Sequence, residues 1–315
     1  MRLVIDTDPG IDDALAILYL ATRPEVEIVA IGTVHGNTTA HQAALNILRV
    51  LDIADHPDVP VAVGAARPLA QPLHTAEFVH GPDGLGGHPG PPSTRDLAGT
   101  SAAEQLVRLA RDHPGGLTLL ALGPLTNLAL ALLLEPELPH LVGRVVAMGG
   151  ALAVPGNITP YAEANLWHDP EAADLVLAAG FDLTLVPLDV TESVRADRAW
   201  YDALAHAGTR RARFATAILR HYGTFYETVL GRPEYTLHDP LAAVLTLDPA
   251  LAEHRMLPVA VELTGTHTRG RLVADLRLLA EDADLPGVIT DRAPVAVATA
   301  VDAPIVLDRL LSALT

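Results

Sequence analysis

The chain has 315 residues, half of them hydrophobic, enough for one large domain or two modest ones with a sizeable core. Its formal charge is −17, from 38 acidic against 21 basic residues, and no Lys occurs, so every basic residue is Arg. That balance argues against nucleic-acid polymers and anionic membranes as partners, since both are held by cationic side chains, and the absence of Cys excludes disulfides, zinc thiolates and thiol nucleophiles.

LVID (3–6) reads as a strand from the first residues, with no charged segment and apolar core of a secretion signal before it, so a soluble cytoplasmic protein is expected. A helix begins near Asp12. EIVAIGTV (27–34) precedes a helix over roughly 39–53, and VAVG (61–64) follows. LTLLALG (117–123) leads to a helix from about Leu125, and RVVAMGG (144–150) to a loop. The helix DPEAADLVLAAG, the strand DLTLVPLD (182–189) and further helices to about 248 complete the pattern. The longest apolar stretch, LTLLALGPLTNLALALLL, is interrupted by Gly and Pro and fits strand-turn-helix better than a membrane span. Continuous apolar strands alternating with helices predict an α/β fold: one domain over 1–315, with a mostly parallel, doubly wound sheet covered by helices on both faces. Ligands bind such sheets at the carboxyl ends of strands. Asp6 and Asp8, Gly36 and Asn37, and Gly149 and Gly150 fall at those ends. Residues 65–99, rich in Gly, Pro and His, read either as a solvated loop or as an active-site cover. The segments 117–134 and VAVATAVDAPIVLDRLLSAL can serve either core or subunit interface.

DTDPGIDDA (6–14) places four carboxylates at one chain turn. Helix-start preference accounts for Asp12 and Asp13 but not for their pairing with Asp6 and Asp8. Pro9 and Gly10 fold the two acidic pairs towards each other, and oxygen ligands without His or Cys suit a hard cation, Ca²⁺ or Mg²⁺. The turn does not fit a calcium-binding helix-loop-helix. A DxD-type phosphatase fits better, although Pro9 stands at its usual Thr or Val position and no Lys is available for phosphate. A second acidic signal, His238–Asp239–Pro240, reads on its own as a helix cap, Asp239 at the N-cap and Pro240 in the first turn.

Together DTDPGIDDA (6–14), TVHGN (33–37), HGPDGLG (80–86), GPLTN (123–127), MGG (148–150), GNITPYAEAN (156–165), DPEAA (169–173) and HDP (238–240) resemble, in order and from end to end, the inosine–uridine-preferring nucleoside hydrolases. The resemblance implies hydrolysis of the N-glycosidic bond of ribonucleosides to ribose and free base, for salvage, by a homodimer or homotetramer. It implies Ca²⁺ held by Asp8, Asp13, the backbone carbonyl of Thr126, and Asp239, with Asp8 as general base towards water and His238 as the acid protonating the leaving base. Asp12, Asn37, Asn157, Glu163 and Asn165 match the ribose contacts, and Asp6 is left a structural role inside the turn. Tyr222 and Tyr226, 16 and 12 residues before His238, match a tyrosine pair on the base side, and His80 a loop histidine there. Both tyrosines read equally as core aromatics on one helix face. One position departs from the pattern: Ala164 stands where the family carries an aromatic, and Trp167 is a candidate to fill the space. The alternatives are the DxD-type phosphotransfer enzyme and a non-catalytic ribose- or nucleoside-binding protein on the same scaffold.

Overall fold

In the computed structural model the apolar runs become six parallel strands: β1 (Arg2–Thr7), β2 (Glu27–Thr33), β3 (Val61–Val63), β4 (Leu117–Ala121), β5 (Arg144–Met148) and β6 (Leu183–Val186). Residues 1–88, 90–231, 234–279 and 292–315 are described. β7 (Arg195–Ala196) and β8 (Tyr235–Thr236) form a short antiparallel ribbon. β9 (Ala252–Leu257) is followed by a second ribbon, β10 (Val259–Val261) with β11 (Leu272–Ala274), and by β12 (Val295–Val301). The main sheet runs β3-β2-β1-β4-β5-β6-β12-β9, parallel except for β9 at the edge. The predicted single α/β domain with a mostly parallel, doubly wound sheet is therefore what forms.

Both sheet faces are apolar, because successive strand residues point to opposite sides. Leu3 and Ile5 join one core cluster and Val4 the other; Val146 and Met148 likewise alternate with Val145 and Ala147. The edge strand β9, AEHRML, is largely exposed and lacks this continuous apolar character, so its pattern gives no strand signal. The tail is core: Val297 of β12 and Val306 and Leu310 of the helix Ala303–Leu314 are buried. In the segment 117–134 the strand is buried, but Leu133 and Leu134 at the end of the helix Thr126–Leu134 are exposed.

The order of strands positions the site. The chain winds outward from β1 through β2 to β3, then returns to lay β4 on the other side of β1. The loops after β1 and β4 diverge there and leave a crevice at the strands' carboxyl ends. Two helices enter it from below. Ile11–Ala21 is buried on all sides through Leu20, as is His238–Leu247 through Thr246, and the two pack against each other. A helix apolar all round belongs inside a protein, and here the only charges in each are the acids of the first turn: Asp12 and Asp13 in one, Asp239 in the other. The predicted cap at Asp239 does not form. The helix starts two residues earlier, with Leu237 as its N-cap, so Asp239 lies within the first turn. Within 65–99, apart from Pro89, which lies outside the described residues, a helical turn Glu77–His80 brings a buried His80 onto the crevice. That part of the segment is a wall of the crevice, not a solvated loop.

Candidate active site

The carboxylate of Asp8 lies at the floor between two glycines. A Cβ on Gly36 would stand 1.9 Å from Asp8 Oδ2, and one on Gly123 would stand 2.6 Å from Oδ1. Only a residue without a side chain permits either approach, and Gly36 also adopts φ +156°. The backbone N–H of Asn37 donates to Asp8 Oδ2 at 2.7 Å, and Asn37 Nδ2 donates to Asp13 Oδ2 at 3.2 Å. Asp13 also accepts from Gly10 N at 2.9 Å and from the Thr7 hydroxyl. Asp8 Oδ1 is buried with no hydrogen-bond partner among the described residues.

Oxygens of Asp12, Asp13 and Asp239 lie within 4.8 Å of one another, all buried. At an effective protein dielectric of about 20, each ionised pair at that separation repels by roughly 3 kcal/mol. Three such pairs, with Asp8 close by, rival the roughly 5–15 kcal/mol that holds a whole domain folded. Protons or a cation must offset them. Burial, then the Asp13 charge, pushes Asp12 up to about 8. Burial holds Asp8 and Asp239 well above the usual carboxylate range, with neighbouring Asp charges adding to it. Burial raises Asp13 as well, against the hydrogen bonds that it accepts from Thr7 and Gly10. Clustered oxygen donors, an orphaned buried carboxylate oxygen and mutual repulsion are what a hard divalent cation requires, so these residues fit a metal of that kind.

Above this floor opens a cavity of about 240 Å³. Asp12, Asn37, Asn157, Glu163, Asn165, His80, Tyr222, Tyr226, His238 and Asp239 all line it, drawn from strand ends and helix starts across the chain. Asp8 and Asp13 sit behind them, at 1% and 0% exposure. Glu163 caps the helix Ala164–His168: its Oε1 accepts from Asn165 N at 2.7 Å, and its Oε2 from Gly150 N at 2.8 Å and Leu166 N at 3.1 Å. Burial raises its pKa against those three donors. Asn165 Nδ2 donates to the carbonyls of Leu122 and Met148, at the ends of β4 and β5. Asn157 Oδ1 accepts from Ala164 N at 2.9 Å, pinning the exposed rim.

Thr126 is not brought to the cavity. Its hydroxyl donates to Asp169 Oδ2 at 2.7 Å and meets His35 Nε2 at 3.1 Å. It opens the helix Thr126–Leu134, and a carbonyl there points along the helix towards the residue four ahead, away from the end that faces the site. In this segment it is Leu122 that lines the cavity, and its carbonyl, which accepts from Asn165 Nδ2 at 2.8 Å, keeps a second lone pair. Asp6 is structural as expected, but its partner is outside the turn: Asn127 Nδ2 donates to Oδ1 at 2.7 Å. Burial pushes Asp6 up to about 7. The DxD-type phosphotransfer reading is not favoured: Asn127 engages the Asp6 carboxylate, and among the described residues no Arg lines the cavity to hold a phosphate.

The other end of the cavity is aromatic. His80 stacks on Tyr222 with ring centroids 5.5 Å apart and accepts the Ile11 N–H at Nδ1, 3.1 Å away. Burial, with His221 and His238 nearby, pushes it down to about 3, so it is neutral. Tyr222 and Tyr226 meet edge to face at 4.9 Å and are almost fully buried, so they are core residues and cavity wall at once. His238 Nδ1 lies 2.7 Å from the Thr191 hydroxyl, which sets the ring plane. Ala164 lines the cavity, but Trp167 does not fill the space beside it; its indole packs against His74, centroids 5.2 Å apart. Phe78 and Phe225, 6.2 Å apart and edge to face, line the mouth instead. Sequence reading missed Leu122, Glu192, Phe78 and Phe225 as wall residues, and the buried Thr191 as the partner of His238. Leu122, Thr191 and Glu192 follow the ends of β4 and β6, and the strand-end rule was the signal that could have found them.

The family model of the inosine-uridine preferring nucleoside hydrolases matches residues 3–308. The chain is 38% identical to a probable uridine nucleosidase 2 of Arabidopsis thaliana, covering 98% of this chain and 97% of that one. It is 37% identical to an inosine-uridine preferring nucleoside hydrolase of Leishmania major, over 88% of each chain. Among solved structures, a plant nucleoside hydrolase superposes with TM-score 0.94 at 34% identity, covering 100% of this chain and 98% of that one. A purine-preferring ribonucleoside hydrolase from Gardnerella vaginalis gives 0.91 at 30% identity, with coverage of 100% and 98%.

The two glycines give a direct check on the floor. Gly36→Ala and Gly123→Ala are each expected to destabilise the fold by about 1–3 kcal/mol, because the Asp8 carboxylate must move to admit the methyl group. Denaturant midpoints unchanged from wild type in both would contradict the close approach.

Proposed function

The chain belongs to the inosine-uridine preferring nucleoside hydrolase family and hydrolyses the N-glycosidic bond of ribonucleosides, and we propose that it does so with one Ca²⁺ held by Asp8, Asp13 and Asp239 and the Leu122 carbonyl. The observation that carries this reading is the buried carboxylate cluster at one end of a cavity whose other end is aromatic. When bound, Ca²⁺ supplies a hard positive charge that lowers the pKa of water and grips sugar hydroxyls.

The protein's own groups do the rest. Asp12, Asn37, Asn157, Glu163 and Asn165 hold the ribose from several sides, each fixed by hydrogen bonds or by burial. Asp8 Oδ1, without a partner, accepts the proton of the attacking water. Breaking the bond builds positive charge on the sugar, and the surrounding carboxylates stabilise it more than they stabilise the neutral substrate. His238, braced by Thr191, donates a proton to the departing base. His80, Tyr222 and Tyr226 form the wall against which that base lies. The reaction serves nucleoside salvage in the cytoplasm, carried out by a homodimer or homotetramer; among the described residues no helix is long and apolar enough to cross a membrane. A ribose-binding protein without turnover is not favoured, since the relatives and structural neighbours are nucleoside hydrolases.

Incubation with inosine, uridine, cytidine and adenosine in the presence of Ca²⁺ is expected to release ribose from at least one of them. No release from any, with metal occupancy confirmed, refutes the reading. Asp8→Asn is expected to lose turnover by orders of magnitude, about 10²-fold or more, while keeping its circular-dichroism spectrum; near-normal turnover would remove the proposed base. His238→Ala is expected to slow nucleosides more than nitrophenyl riboside, whose leaving group needs no proton. Equal losses on both would end the acid assignment.

A further inference from the structure

The aromatic end of the cavity contains a carboxylate that the proposed chemistry does not use. Glu192 follows the helical turn Leu188–Thr191 at the carboxyl end of β6, one residue after the threonine that braces His238. It lines the cavity with Tyr226, Phe225 and His238. Arg195 supports it from outside: Nη2 lies 3.2 Å from Oε2, and Nε donates to the Glu192 carbonyl at 2.7 Å. Inwards, it shares the cavity wall with Tyr226 and His238.

The polar groups around it are of another kind. The two tyrosine hydroxyls face each other at 3.4 Å, and His80 and His238 each have one ring nitrogen engaged within the protein. A carboxylate only accepts hydrogen bonds. With ribose held at the acidic end, the edge of the base furthest from the sugar is directed to the aromatic end. In uracil and hypoxanthine that edge carries a ring N–H; in cytosine and adenine the equivalent ring nitrogen is an acceptor. Resting on the reading above, we propose that Glu192 is a specificity-determining residue that accepts the ring N–H of the base. It favours nucleosides that present this donor and disfavours those that direct a lone pair at it, because an unpaired acceptor facing an acceptor loses a hydrogen bond and adds repulsion.

The test compares kcat/KM of the wild type, Glu192→Gln and Glu192→Ala on uridine, 3-methyluridine and cytidine, with Ca²⁺ present and free ribose measured. Nitrophenyl riboside, whose leaving group has no N–H, reports in each protein whether the acidic end is intact. The wild type is expected to prefer uridine over 3-methyluridine by about tenfold or more, and both variants to contract that ratio towards one. Glu192→Gln, whose amide can also donate, is expected to gain on cytidine relative to uridine. A wild-type ratio near one, or the same ratio in all three proteins, overturns the assignment while leaving nucleoside hydrolysis standing. A wild type that releases ribose from no nucleoside removes both.

Discussion

The structure turns on a repulsion. Two buried helices, Ile11–Ala21 and His238–Leu247, apolar beyond their first turns but for Thr246, pack side by side and bring the acids of those turns within 4.8 Å, more than two hundred residues apart in the chain. Nothing in the packing of those helices needs carboxylates there. The core they share would be more stable without them, and the helix starts recover only a fraction of the desolvation. A site that strains the fold in this way has its compensation in what it binds, and a divalent cation is the compensation that also does chemistry.

The same arrangement divides the cavity into two ends with different demands. The acidic end is rigid. Asp8 is clamped between two glycine backbones, Asn37 ties Asp8 to Asp13, and Glu163 has both oxygens occupied by backbone donors. A charge developing on the sugar therefore meets groups already in place, which is where electrostatic catalysis gains most. The aromatic end is assembled from a loop turn, Glu77–His80, and from side chains of the long helix Arg210–Leu230. In the proposed reading, selectivity among bases belongs to that end.

Much of this was legible in the sequence, for a physical reason. Parallel strands buried on both faces read as unbroken apolar runs, and the polar residues that interrupt them mark strand ends, where such sheets bind ligands. DTDPGIDDA announced its own chemistry, since four acids at one turn have no cheap structural use. What failed were features set by backbone direction and by tertiary contact. The Thr126 carbonyl is committed to its helix, and no residue pattern distinguishes it from Leu122 four positions earlier. Asp239 read as a cap because helix starts cannot be placed to a single residue from sequence. Trp167 was offered a place in the cavity by size and proximity, but its indole faces His74. Glu192 carried no motif; its place after β6 was its one signal, and the fold brings it to the wall that holds His238.

The central claim is that carboxylates from opposite ends of the chain form one cation site. Calorimetric titration of chelator-treated protein with Ca²⁺ tests it most directly, in wild type and in Asp13→Asn and Asp239→Asn. The account predicts one Ca²⁺ per chain for the wild type and a large loss of affinity in each variant, one altered near the start of the chain and the other late in it. A wild type that binds no Ca²⁺, or an Asp239→Asn protein that binds it as tightly as wild type, would contradict the claim.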